Sequence, residues 1–418
     1  MSSEMPVKRH RALWWALAAG ALVLMTIVGM VLTSWSSAGE YIERERKQVE
    51  LRHDTLRTRG VNRPRFFEPA EEGNSWDIVG PAVDWNFYFD HADDGKLDAA
   101  KQGLRRSWTE PHHPYPPSVS GFKVYQDRGY EIFGAAAIGP GDGETDRAID
   151  LLAVGWGLAD RMTVNQDLES LTIYFHWQRR GFEVLRRFLR IAELTPAHLK
   201  RLAELLDLVN SHPVDLREGF EVSDMLLRMS LLAALEKSEG SPWTARTKPE
   251  LGNLFSSRVA ASRWFRQMDA YLWGLEAPLK LRGKTRWEAV EEWEFTCFEA
   301  VDPALYSDIR DRTDALFTSE ARATVHLQLA RAAVAIARHI QDRGAPPASL
   351  EALVPAYLPK VPTDPHLEIP FRYRSDELDA VVYAHGFDGD DDGGRDVADE
   401  SADGDLVWLV RIRIPAGK

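Results

Sequence analysis

Hydrophobic residues follow three patterns along the chain, and each pattern predicts a different kind of structure. Residues 12–33 contain no charged side chain, and a stretch of that length is sufficient for one helix to cross a bilayer. Apolar side chains then recur at helical spacing from about residue 144 to residue 343. Near the C-terminus the β-prone runs 371–374, 380–384 and 406–412 are separated by turn-rich segments. The patterns predict a mainly α protein that ends in a small antiparallel sheet.

The N-terminal apolar run has the flanks of a membrane anchor. The basic group Lys8–Arg11 precedes it, and Trp14 and Trp35 lie near its two ends. Positive charges remain on the cytoplasmic side, and indole rings prefer the membrane interface. We therefore expect a single-pass protein of the inner (cytoplasmic) membrane whose bulk is extracytoplasmic, in the periplasm.

A cleaved signal peptide is the alternative interpretation of the same run. Ser36, Ser37 and Ala38 are small residues of the kind found near a cleavage site. The apolar run is longer than an ordinary signal-peptide core, which favours the uncleaved anchor. Both interpretations export the remainder of the chain, so they differ only in whether it stays tethered.

Changes in composition divide the chain into segments of different character. The helical part is expected to form an array of antiparallel helical hairpins, because short turns separate its apolar stripes. The final part is expected to pack a helix beginning at residue 319 on the antiparallel sheet. The segments are a cytoplasmic tip and transmembrane anchor (1–38), a charged, solvated stalk (39–61), a loop-rich aromatic region (62–143), a helical domain (144–318) and a C-terminal α+β module (319–418).

Charge and cysteine content exclude some functions. The net charge is −13, but residues 376–405 hold twelve Asp or Glu residues against the single Arg395, so the acidity is local. Basic residues are scattered along the predicted helices and form no stripe with stacking aromatics, which argues against a nucleic-acid partner. Cys297 is the only cysteine, so an internal disulfide is impossible. A buried thiol is favoured over a lone nucleophile there.

The acidic segment DGDDDGGRDVAD, which begins at residue 388, has the spacing of a calcium loop. Acidic side chains alternate at the first, third and fifth ligand positions, and a glycine at the sixth permits the sharp turn. A solvated acidic run is the alternative, but the mutual repulsion of its aspartates favours a bound cation. The predicted Ca²⁺ ligands are Asp388, Asp390, Asp392, the carbonyl of Gly394, Asp396 and Asp399, with Asp403 and Asp405 as replacements for either of the last two aspartates.

Four sequence features of the C-terminal part resemble a known family. The runs PPASLEALVPAYLPKVPTDP, PFRYR and VVYAHGFDGDDDGG, followed by a late strand, are similar to the C-terminal part of the major, G-type pseudopilins of type II secretion. The resemblance covers about residues 319–410. It implies a pilin-like helix packed on a small antiparallel sheet, with calcium bound by the acidic loop that begins at Asp388.

Two functions are compatible with these features. The first is an anchored extracytoplasmic scaffold or binding protein with a structural calcium site, linked to secretion or to envelope assembly through a protein partner. The second is an envelope hydrolase whose site lies in the helical domain. The sequence contains no G-x-S-x-G, H-E-x-x-H or P-loop motif, so we favour the scaffold and predict no catalytic residue.

Overall fold

The protein is mostly helical and carries one small antiparallel sheet, as the sequence pattern predicts. These features come from a computed structural model of the chain. The residues that it describes are 6–61, 98, 132–137, 144–163, 168–211, 214–237, 254–280, 303–365, 367–386, 390–395 and 404–412.

Seven long helices and three strands make up the described fold. The strands are ordered β1-β2-β3 and all pairings are antiparallel. The elements are α1 (Pro6–Val61), α2 (Thr145–Met162), α3 (Leu168–Ile191), α4 (Pro196–Ser211), α5 (Leu216–Lys237), α6 (Leu254–Lys280), α7 (Pro303–Arg343), β1 (Arg372–Ser375), β2 (Asp379–Ala384) and β3 (Leu406–Arg411).

Helix α1 joins two segments that the sequence pattern separates. It runs without interruption from the apolar run into the charged segment 39–61, because no proline or glycine cluster stops it. Among the residues that the structure describes, no helix combines the length and apolar character needed to cross a membrane.

The chain forms two compact units, and the first consists of residues 1–55 and 223–273. Part of the predicted stalk is buried there: Ile42 and Val49 are core residues, and Glu45 is only 6% exposed. These three positions recur every three or four residues and so occupy one face of α1. The prediction of a fully solvated stalk is therefore incorrect for this face, because its sparse apolar residues are enough to pack when they share a helical stripe.

The second unit consists of residues 56–222 and 274–418. Within it α7 packs against α3 and α4, and α2 packs against α3. The sequence pattern predicts that a helix begins at residue 319, where the helical domain ends, but α7 runs through this boundary as a single helix. The residues at this junction are Thr318 and Ser319, which have modest helix propensity but do not break a helix.

The sheet covers one side of α7 and also contacts α3. Trp408 of β3 lies opposite Val382 of β2 and is completely buried. Its indole Nε1 donates a hydrogen bond to Nδ1 of His326 on α7 at 3.4 Å. Burial lowers the pKa of His326 to about 3, so the imidazole is neutral and its Nδ1 is available as the acceptor. This hydrogen bond connects the sheet to α7.

Candidate functional site

The predicted calcium loop connects β2 to β3 in the second unit. Asp390, Asp392 and Gly394 lie within the described residues, and both aspartates are exposed. The remaining predicted ligands, and one of the two replacements, lie outside the described residues: Asp388, Asp396, Asp399 and Asp403.

A glycine pair makes the bend that the loop requires. Gly393 and Gly394 have φ angles of 75° and 65°, a backbone conformation that side chains disfavour. At Gly394 a Cβ atom would also lie 2.6 Å from the ring of Tyr383. The loop therefore folds closely over β2, as the predicted turn at these positions requires.

Asp391 is the residue that organises the described part of the loop, although the spacing did not assign it as a ligand. Its Oδ1 accepts hydrogen bonds from the Gly393 backbone N–H at 3.0 Å and from the Tyr383 hydroxyl at 3.2 Å. Its Oδ2 lies 3.5 Å from Nε of Arg372 and 3.5 Å from Nε2 of His385. The Gly393 N–H is the main reason that the pKa of Asp391 is lowered.

Asp405, which directly precedes β3, is the buried carboxylate of the site. It is 7% exposed, and its Oδ2 accepts a hydrogen bond from the Gly394 N–H at 2.7 Å. Its Oδ1 is buried and has no hydrogen-bond partner among the described residues. Burial raises the pKa of Asp405, and the charges of Asp391 and Asp392 raise it further. This oxygen can therefore accept a hydrogen bond or bind a cation.

The carbonyl oxygen of Gly394, one of the predicted ligands, already has a hydrogen-bond partner. It accepts a hydrogen bond from Nη2 of Arg374 at 3.2 Å. A carbonyl has a second lone pair, so this bond leaves capacity for a metal. No group of three or more His, Cys, Asp or Glu side chains within the described part of the chain is arranged to hold a metal ion.

The first unit contains a second cluster of buried charge, which the sequence analysis missed. Arg228 of α5 is completely buried, and its Nε lies 2.8 Å and 2.9 Å from the two carboxylate oxygens of Asp224. Its Nη1 bonds Glu45 of α1 at 2.6 Å. Its Nη2 bonds Asp269 of α6 at 2.7 Å and the Phe265 carbonyl at 3.3 Å. One guanidinium thus joins three helices.

Each charged group of the Arg228 cluster has a partner of opposite charge. Its pKa is raised because Asp224, Asp269 and Glu45 more than offset the effect of burial. Burial raises the pKa of Asp224 despite the adjacent guanidinium. Tyr41 donates to Asp269 at 3.0 Å, and burial together with that carboxylate raises the pKa of Tyr41 to about 12. The spacing of Asp224 and Arg228 four residues apart was the only signal in the sequence.

Comparison of the chain with protein-family models, with curated proteins and with solved structures gives no match. The resemblance of residues 319–410 to pseudopilins therefore stays a prediction.

Proposed function

We propose that the protein is a membrane-anchored, extracytoplasmic scaffold or binding protein whose C-terminal module holds a structural Ca²⁺ ion in the loop between β2 and β3. The observation that carries this proposal is the Oδ1 atom of Asp405, which is buried beside Asp391 and Asp392 and has no partner among the described residues. A calcium ion bound there would satisfy this oxygen and neutralise the carboxylates around it.

The chemistry of the donors favours calcium over a transition metal. The predicted ligands are carboxylate and carbonyl oxygens, which hard cations prefer. Asp405 would supply a buried ligand and Asp390 and Asp392 exposed ones, and the positive φ angles of Gly393 and Gly394 supply the bend between them. The remaining oxygens would come from Asp388, Asp396 and Asp399, as the loop spacing predicts.

An exposed apolar surface on α1 supports the proposed anchor. Large apolar side chains between Leu22 and Met30 are each about half exposed or more, including Val23, Leu24, Met25, Ile27 and Val28. Exposure of this kind all around a helix is typical of a segment that contacts lipid or another apolar partner. With the basic group Lys8–Arg11 before it, this segment would place the folded units in the periplasm.

The role of the calcium ion in this proposal is structural. The loop connects two strands of a module that resembles pseudopilins, and an ordered loop would present a constant surface to a secretion or envelope protein. The groove between α3 and α7 is lined by one carboxylate, Glu320, and by no histidine or cysteine. This lining offers no acid and base pair for hydrolysis, which favours the scaffold over the hydrolase.

Thermal unfolding of the full chain in detergent micelles tests the calcium site. After chelation, addition of Ca²⁺ should raise the Tm of the wild-type protein by several degrees, because a ligand that binds only the folded state stabilises it. Mg²⁺ should have a smaller effect, because it requires a tighter octahedral shell. Asp405→Asn should abolish the response, since the amide retains the Gly394 hydrogen bond but removes the negative ligand.

Glu377→Gln is the matched control. Glu377 is an exposed carboxylate in the turn between β1 and β2 of the same sheet, so its neutralisation should leave the calcium response unchanged. A wild-type Tm that does not respond to Ca²⁺ would contradict the proposed site. An Asp405→Asn variant that responds as strongly as the wild type would contradict the assigned ligand.

A further inference from the structure

A groove of about 390 Å³ lies between α3, α7 and the segment that precedes the sheet. Its volume is within the range of small-ligand and peptide sites. One face of α7 lines it from Glu320 to Arg331, a distance of roughly 16 Å along the helix axis. Another wall is the proline-rich segment from Leu358 to Pro365. The α7 side of the groove is therefore as long as about five residues of extended chain.

Gln178 of α3 supplies a buried, unsatisfied polar group in this groove. The side chain lines the groove although the residue is only 4% exposed. Its Oε1 is buried and has no hydrogen-bond partner among the described residues. A buried amide oxygen without a donor destabilises the folded protein, so its presence at the floor of an open groove points to a ligand that donates a hydrogen bond.

The proline-rich wall has an open strand edge. Thr363 pairs with Pro370 through an isolated antiparallel bridge, in which Asp364 N–H bonds the Ile369 carbonyl and Phe371 N–H bonds the Pro362 carbonyl. In this type of pair the N–H and C=O of the central residue point to the opposite edge. Those two groups of Thr363 make no backbone hydrogen bond within the described chain.

Thr363 is exposed and lines the groove, whereas Ile369, Pro370 and Phe371 do not line it. The edge that carries the free N–H and C=O groups of Thr363 is therefore the edge on the groove side of the wall. An extended chain in the groove can pair with this edge as an added strand.

We propose that the groove binds an extended peptide segment of a protein partner. The backbone of the peptide pairs with Thr363, and one of its N–H groups donates to Oε1 of Gln178. Its alternate side chains point toward the floor and toward solvent. The groove does not depend on calcium, and it supplies the binding surface that the proposed scaffold requires.

The aromatic floor favours a peptide over a saccharide. Tyr174 and Phe175 are each 6% exposed and Phe182 is 1% exposed, so no ring presents a broad face on which a sugar could stack. Such side chains instead form an apolar floor for the inward-pointing side chains of a strand. The amide of Gln178 and the free edge of Thr363 match the alternating donors and acceptors of a peptide backbone.

Selection from a displayed library of random nonapeptides on the immobilised full chain, in detergent micelles, tests the proposal. Synthetic copies of the enriched peptides are then titrated by fluorescence anisotropy. We expect preferences at alternate peptide positions. Gln178→Leu should weaken binding about tenfold while its Tm stays the same or rises, because the variant removes an unsatisfied buried group. A residue with only a structural role would lower the Tm.

A matched pair of variants separates backbone pairing from side-chain contact. Thr363→Pro removes the N–H and should weaken binding about tenfold, whereas Thr363→Val retains the N–H and should bind nearly as well as wild type. Failure to enrich any peptide would overturn the proposal, as would equal binding by the proline and valine variants. Binding to a saccharide array that is lost in Thr363→Val would overturn it in favour of a glycan. If Thr363→Pro does not fold, undiminished binding by Gln178→Leu is sufficient to reject it.

Discussion

Asp224 and Asp405 are both buried aspartates, one in each compact unit. They differ in how many of their carboxylate oxygens have a hydrogen-bond partner. In the first unit Arg228 bonds both carboxylate oxygens of Asp224, at 2.8 Å and 2.9 Å. In the second unit Asp405 accepts one backbone N–H at 2.7 Å, and its other oxygen has no partner among the described residues. Burial raises the pKa of both residues.

The difference separates a structural cluster from a candidate ligand site. A buried carboxylate is tolerated when a cation and donors surround it, and the guanidinium of Arg228 provides both. Around Asp405 the nearest charges are largely of its own sign, because Asp391 and Asp392 both raise its pKa. Burial alone therefore does not separate the two residues, whereas the oxygen without a partner among the described residues makes Asp405 the candidate ligand.

The largest expected effect follows from removing the cation of the Arg228 cluster. Arg228→Met would leave Glu45 buried without its cation and Asp224 with only the half-exposed Arg52, 3.8 Å away, and we expect it to reduce the free energy of unfolding by about 3–5 kcal/mol. Urea denaturation of the full chain in micelles measures the change. Arg217→Met, at the exposed pair with Glu221 on the same helix, should cost less than about 1 kcal/mol. Equal losses of stability in the two variants would show that the buried cluster stabilises the fold no more than an exposed ion pair does.

Substitution of Gly393 or Gly394 by alanine should have a smaller effect, and it tests the geometry of the acidic loop. Gly394→Ala combines a positive φ angle with a Cβ atom 2.6 Å from Tyr383, so we expect a loss of about 2–4 kcal/mol. Gly393→Ala also has a positive φ angle, but its Cβ would meet no atom within 4 Å, so the loss should be about 1 kcal/mol. If the two variants are equally stable in thermal denaturation, the loop does not pack on Tyr383 as described.

The smallest effect is the pH dependence of the calcium-free protein. Because the folded-state pKa of Asp405 is raised, its protonated form favours folding. This contribution is complete below the ordinary carboxyl pKa and is lost as the pH rises through the raised folded value. Asp391, whose pKa is lowered, acts in the opposite sense: its contribution is lost as the pH falls through its folded pKa.

The contribution of Asp405 is isolated by the difference in Tm between wild type and Asp405→Asn, measured in chelator across this acidic range. In chelator the variant should gain stability relative to wild type as the pH rises. A constant difference would mean that Asp405 titrates normally and is not desolvated.

Hydrophobic periodicity predicted most of the elements of the fold. The helical spacing that ends near residue 343 and the strands β1 to β3 follow from local sequence, and the structure has them near the predicted positions. The continuity of α7 across Thr318 and Ser319 was not predicted, because a pair of small polar residues resembles a helix boundary when the packing on either side is unknown.

The charged clusters were harder to predict because their members meet only in the folded chain. Glu45, Arg228 and Asp269 belong to three helices far apart in sequence, so no spacing rule connects them. In the acidic loop the spacing drew attention to Asp390 and Asp392, whereas Asp391 accepts two hydrogen bonds and lies 3.5 Å from two basic side chains. Asp405 was named only as a replacement ligand, since its burial depends on how β3 packs.

Equilibrium dialysis of the full chain against radioactive calcium, in detergent micelles after removal of bound metal, tests the central claim most directly. The proposed site predicts saturable binding of one ion per chain, with a dissociation constant of about 10⁻⁴ to 10⁻³ M, and loss of that binding in Asp405→Asn but not in Glu377→Gln. Absence of saturable binding in the wild type, or equal binding in wild type and Asp405→Asn, would contradict the account.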